Sequence, residues 1–139
     1  MGTWGINNFE NDTAGDWVYS FEENPSILFL KETIEKVLGL EYVDSDEACE
    51  ALAAIETIAA IRNKPAADFP EMNGIDLRAL AVAITPELTS LARKAIERIT
   101  SEEHSELYEL WAETDDIDSW IMVQKTLLNR LDAGGLRAV

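Results

Sequence analysis

The sequence predicts an all-α protein, a single compact bundle of about seven helices under an irregular amino-terminal lid. Three observations predict it. Apolar residues recur at helical spacing through most of the chain after residue 12. The stretches between them are mostly short and carry the residues that start and stop helices. No run alternates as a half-buried strand does; the nearest, Thr3 to Ile6, is too short to stand alone.

The elements follow in order. Ala14, Trp17, Val18 and Phe21 fall on one face of a first helix, with Asp12 or Thr13 as its cap. Pro25 is placed to open a second helix, whose stripe is Ile27, Leu30, Ile34, Val37 and Leu38 and whose stop is Gly39. Ser45 and Asp46 offer caps for a third, running to about Asn63. Its stretch ALAAIETIAAI is small and apolar over more than half its circumference, which marks a central helix. Residues 63–74 hold two prolines and a glycine and read as an internal loop.

A short helix over about 76–83 turns Leu77, Leu80 and Ala81 inward. Thr85-Pro86-Glu87 starts the next, with Leu88, Leu91, Ala92, Ala95, Ile96 and Ile99 facing the core. Ser101 caps a helix carrying Leu107, Leu110 and Trp111. The last begins near Thr114 or Asp115, buries Trp120, Gln124, Leu127 and Leu131 among others, and ends at Gly134-Gly135. With no linker to divide it, residues 1–139 are expected to form one domain, with 1–10 as the lid.

Composition narrows the function. Hydrophobic residues make up 47% of the 139, enough for a core. No apolar run approaches the roughly 20 residues of a membrane span, and the start lacks the pattern of a signal peptide. The single Cys49 rules out an internal disulfide and fits a reducing, cytoplasmic setting. Twenty-seven acids against eleven bases give a net charge of −16. That balance repels nucleic acid and anionic membranes and attracts a basic partner.

Glu56 is the most informative single residue. Its neighbours on the helix surface are Cys49, Leu52, Ala53, Ala59 and Ala60, all apolar, so its carboxylate is expected to be buried and to need partners. The amino-terminal segment can supply them, through its backbone amides and the Trp4 indole N–H. The expectation is a lid folded over the third helix and tethered at Glu56. A metal site drawing on Glu56 with Asp12 and Asp16, which lie four apart, is the alternative.

Glu102, Glu106, Glu109 and Glu113 are spaced to share one helix face, and Asp115 and Asp116 extend it. No Lys or Arg occurs between Arg98 and Lys125. These acids are the candidate binding surface for a basic protein, in the manner of an immunity protein whose carboxylates imitate phosphate. Enzyme signatures are mostly missing: no phosphate loop, nucleophile elbow or paired-histidine motif occurs. The one enzymatic alternative is a metal-dependent hydrolase like the all-α nucleotide pyrophosphohydrolases, from the acid pairs Glu32/Glu35 and Glu47/Glu50, with Mg²⁺ as its cofactor. Cys49 reads as inert core and His104 as a surface residue.

The opening MGTWGINNFENDTAGDW resembles the start of small prokaryotic proteins in domain-of-unknown-function family 4259, which look like MG-x-WG followed by F-x-ND-x-A-x-DW. The residues that carry the resemblance are Met1, Gly2, Trp4, Gly5, Phe9, Asn11, Asp12, Ala14, Asp16 and Trp17. ALAAIETIAAI and SELYELW are similar to further stretches of the family. The resemblance implies one domain and brings no established activity.

Overall fold

In the computed structural model the described residues are 5–72 and 74–133, the Ala133 side chain excepted. They form six α-helices and one 3-10 helix: α1 (Asp12–Glu23), α2 (Ile27–Leu38), α3 (Ser45–Ile61), the 3-10 helix (Leu77–Ala83), α4 (Pro86–Ile99), α5 (Glu106–Ala112) and α6 (Ile117–Ala133). An isolated parallel β-bridge joins Val43 and Ser105. The all-α class is as expected.

α3 is the axis. Every residue from Ala51 to Ala59 is buried, and α1, α2, α4, α5, α6 and the 3-10 helix all pack on it. Alanine explains both halves of this. It has the strongest intrinsic helix preference, and its small side chain lets neighbouring backbones come close on all sides. Ile55 and Ile58, both fully buried, fill the gaps between the packed helices. The buried apolar side chains make one cluster, to which α1 gives Ala14, Trp17 and Phe21, α2 gives Leu30 and Ile34, and α6 gives Trp120, Leu127 and Leu131.

Several caps differ from the sequence expectation, each for a local reason. Asn11, rather than Asp12 or Thr13, caps α1: its side-chain oxygen accepts from the Ala14 N–H at 2.8 Å, which leaves Asp12 in the first turn. α2 begins at Ile27, after Pro25, because Ser26 caps it through the Phe29 N–H at 3.1 Å. Neither Ser45 nor Asp46 caps α3. Its N-cap is Asp44, with no side-chain bond, and the first N–H, of Ser45, is taken at 2.8 Å by the Glu106 carboxylate from α5. Ser105, not Ser101, caps α5, through the Tyr108 N–H at 3.1 Å. Residues 101–104 form a turn held to the α2–α3 connection, where Val43 donates to the His104 carbonyl at 2.7 Å and accepts from the Glu106 N–H at 3.0 Å.

Thr85 and Pro86 open α4 as predicted, with the Thr85 hydroxyl accepting from the Leu88 N–H at 3.1 Å. The expected short helix is a 3-10 turn with Leu77 and Leu80 half-buried and Ala81 exposed, so Ala81 does not face inward. Gly134 and Gly135, read as the stop of α6, lie outside the described residues.

α3 ends in a way that matters for the site. Asn63 takes a left-handed conformation, φ 69°, which asparagine tolerates better than most side chains. Lys64 N–H then reaches back to the Ala59 carbonyl at 2.8 Å, and Asn63 N–H to Ala60 at 2.9 Å. This reversal turns the Lys64 carbonyl towards α6.

Candidate functional site

Glu56 lies at the middle of α3, 1% exposed. A carboxylate so placed needs compensating groups, and two segments provide them. From α6, Arg130 donates through both terminal nitrogens, Nη1 to Oε1 at 2.9 Å and Nη2 to Oε2 at 3.2 Å. From the amino-terminal segment, Asn8 donates its Nδ2 to Oε2 at 2.8 Å. Asn8 also exchanges a reciprocal amide pair with Gln124 of α6, at 3.1 and 2.9 Å. Arg130 Nη1 also donates to the Lys64 carbonyl at 3.1 Å. A two-point guanidinium–carboxylate contact is the strongest geometry available to such a pair. The network stitches the segment before α1, the centre of α3 and the last turns of α6 into one unit.

Glu56 is thus buried beneath the amino-terminal segment, with Asn8 as the described residue that meets it. Trp4, the expected partner, lies outside the described residues. The rest of the segment is held too. Glu10 turns back to accept the Asn7 N–H at 3.1 Å, and a Cβ on Gly5 would overlap that carboxylate. Phe9 stacks edge-on against Phe69 of the 62–76 connection, centroids 5.4 Å apart.

A cleft of about 390 Å³ opens over this network, lined by Asn8, Glu56 and Arg130 below and by Pro65, Asp68 and Thr126 at its sides. Partial burial raises the Asp68 carboxyl above its usual range, with its own backbone N–H opposing and Glu10 adding to the shift. Glu56 itself is poorly suited to proton transfer or metal binding. Both its oxygens are engaged by Arg130, and one also by Asn8.

The other sequence-selected residues are not gathered here. Asp12 and Asp16 are exposed on α1. Glu32 and Glu35 are exposed on α2, whereas Glu47 and Glu50 are half-buried on α3. Among the described residues no group of three or more His, Cys, Asp or Glu side chains is placed to hold a metal ion. Cys49 is buried, and that burial, with Asp46 and Glu50 nearby, pushes its thiol up to about 12, far from a nucleophile. His104 is half-buried, its Nδ1 2.9 Å from the Ser101 hydroxyl.

Glu50 carries a testable titration. Burial raises its carboxyl above the ordinary 4.5; the Lys36 ammonium opposes the shift, and Glu47 and Asp46 add to it. The folded chain then holds this proton more tightly than the unfolded chain. Stability contributed by the protonated form is lost as pH rises from the unfolded value through the folded one. Glu50→Gln is expected to match the wild type in urea at about pH 3.5 and to unfold at a higher midpoint near pH 7. An equal difference between the two proteins at both pH values would refute the titration.

The acidic stretch 102–118 is arranged differently from one helix stripe. Glu102 and Glu103 sit in the turn before α5 and are exposed; Glu109, Glu113, Asp115, Asp116 and Asp118 are exposed from α5 to the start of α6. Glu106 faces inward to Ser45, and Glu109 accepts from the Tyr42 hydroxyl at 2.9 Å. The ion pairs Arg93–Asp132 and Arg130–Glu56 involve none of these acids.

The sequence reading missed Asn8 and Arg130. Gln124 was visible as a lone amide in the apolar stripe of the last helix. Arg130 lies 74 residues from Glu56 in sequence, and periodicity cannot pair residues so far apart.

The class this defines is an all-α protein built on one buried alanine-rich helix, with its amino-terminal segment bonded across that helix by an Asn–Glu–Arg–Gln network. Residues 2–122 match the family described as Domain of unknown function (DUF4259), and the chain belongs to that family. The match includes Asn8 and Glu56 and stops short of Gln124 and Arg130. Comparison with curated proteins and with solved structures gives no match.

Proposed function

We propose that this protein is an interaction module that binds a basic protein through the acidic end formed by α5 and the start of α6. One observation carries the reading: seven exposed carboxylates, Glu102, Glu103, Glu109, Glu113, Asp115, Asp116 and Asp118, follow one another in a stretch holding no Lys or Arg. Like charges so close repel, and a cationic partner would relieve that repulsion. Among the described residues no helix is long and apolar enough to cross a membrane, and the net charge of −16 is wrong for nucleic acid. Blocking a basic cleft, as an immunity protein does, is the use such a surface fits.

The test pairs the wild type with a variant carrying Glu102→Gln, Glu109→Gln, Glu113→Gln, Asp115→Asn and Asp116→Asn. Glu106 is left intact because it holds the start of α3. Both are used as bait in native lysate at low salt. The wild type is expected to retain a basic protein that is released at about 0.5 M salt, where screening is nearly complete, and the variant to retain little. Equal recovery by both, or no basic protein at low salt, refutes the proposal.

A further inference from the structure

A second surface, on the other side of the amino-terminal segment, has features that the fold itself does not require. A groove of about 320 Å³ runs between α1 and the 62–76 connection. Val18, Phe9 and Pro70 form its apolar floor, Gly15 and Tyr19 its α1 wall, and Glu22 and Glu71 stand at its rim.

Gly15 is the telling residue. It lies inside α1, its N–H bonded to the Asn11 carbonyl at 3.1 Å in the ordinary helical way. A Cβ placed there meets nothing within 4 Å among the described residues. No close approach by a described residue and no left-handed turn calls for glycine, yet glycine is the least favourable helix residue after proline. What its absent side chain leaves is room on the groove wall. One turn further on, the large Tyr19 side chain is 69% exposed.

The charge around the groove is of one sign. Among the described residues that line the groove none is Lys or Arg. Its lining carries Glu22 from α1 and Glu71 from the connection, and Asp12, Asp16 and Glu23 lie on the same helix as Glu22. A second copy of this chain would bring another net −16 against these carboxylates.

We propose that this groove docks a basic peptide segment with an apolar anchor. The anchor rests on Gly15, Val18 and Phe9. A flanking Lys or Arg lays its stem along Pro70 and its charge between the Tyr19 ring and the Glu71 carboxylate. The inference rests on the reading above only for the basic character of the partner; the surface is a different one.

The probe is a short synthetic peptide alternating lysine and leucine, followed by amide chemical shifts of the whole protein and by fluorescence anisotropy. A lysine-only peptide of equal charge is the control. Shifts are expected at Phe9, Gly15, Tyr19 and Glu71, with the control binding more weakly. Gly15→Ala and Gly15→Leu are both expected to fold, the alanine variant melting roughly 3–5 °C higher than wild type. Gly15→Leu fills the groove and is expected to weaken the lysine–leucine peptide about tenfold or more. Wild-type affinity in Gly15→Leu, or equal affinity for the lysine-only peptide, overturns the proposal. Shifts confined to residues 102–118 overturn it too while leaving the acidic-end reading standing; shifts confined to the groove support it and count against that reading.

Discussion

Arg130→Ala is expected to lower the unfolding free energy by about 3–5 kcal/mol, the range for breaking a buried ion pair from one side. The loss comes mostly from what stays behind. Glu56, whose side chain is 2% exposed with Arg130 in place, would be left with Asn8 as its remaining described donor, and a carboxylate cannot keep its charge cheaply there. Glu56→Ala is expected to cost less, near the lower end of that range. The abandoned guanidinium is 18% exposed and borders the cleft, so water can take up part of its hydration. The order of the two variants is therefore part of the prediction.

The double variant is expected to lose clearly less than the sum of the singles, because the second substitution removes the charge that the first one stranded. Urea unfolding at neutral pH reads all three. A second measurement separates a tether from simple core damage. If the network holds the amino-terminal segment down, Glu56→Ala should speed hydrogen exchange at the amides of residues 5–10 more than at those of α4, which has no part in it. Uniform acceleration throughout the chain, or a Glu56→Ala protein that unfolds with the wild type, would remove the tether.

How far the sequence showed this site depends on the kind of contact. Glu56 was legible because its surroundings lie on its own helix: Leu52, Ala53, Ala59 and Ala60 are fixed relative to it by helical geometry alone. The central position of α3 was legible for the same reason, since a helix apolar on most of its circumference has nowhere to lie but inside. Arg130 was hidden because α6 is amphipathic and an arginine near its exposed side looks like any solubilising charge. Asn8 was hidden because an irregular segment has no period from which to predict a direction.

The helix starts failed for a related reason. Asn11, Asp12 and Thr13 are all competent caps in a row, and only the geometry of the turn before them decides which one stands first. Ser101 and Ser105 pose the same choice four residues apart. There the outcome is set by Val43, which pins residues 104 and 106 from the α2–α3 connection. Glu106 looked like one carboxylate in an exposed stripe, and its use is to close the first N–H of a helix 61 residues earlier.

Trp17→Ala is expected to be as damaging as the loss of Arg130, at about 3–5 kcal/mol, by the opposite mechanism. Here nothing charged is stranded; volume is lost. The indole is 3% exposed and packs near-parallel beside two rings, Phe21 at 5.4 Å and Phe29 at 5.8 Å, which are 6.3 Å from each other, so the three rings form one cluster. The backbones of α1 and α2 make little close approach to each other, although both pack on α3. The stacked rings fill the space between them, so the surrounding helices cannot simply close over a hole left at this position. The indole N–H also donates to the Thr33 hydroxyl at 3.4 Å, and that hydroxyl donates to the Phe29 carbonyl at 2.9 Å. Trp17→Phe keeps a ring in the stack and is expected to recover more than half of the loss; what it fails to recover reports the smaller ring and the missing N–H together. Tyr19→Ala, two residues away and 69% exposed, should change stability by no more than about 0.5 kcal/mol. Urea midpoints for the three variants test the set. A Trp17→Ala protein as stable as Tyr19→Ala would mean that α1 is held by Ala14 and Val18 against α3 alone, with the aromatic stack contributing little to the fold.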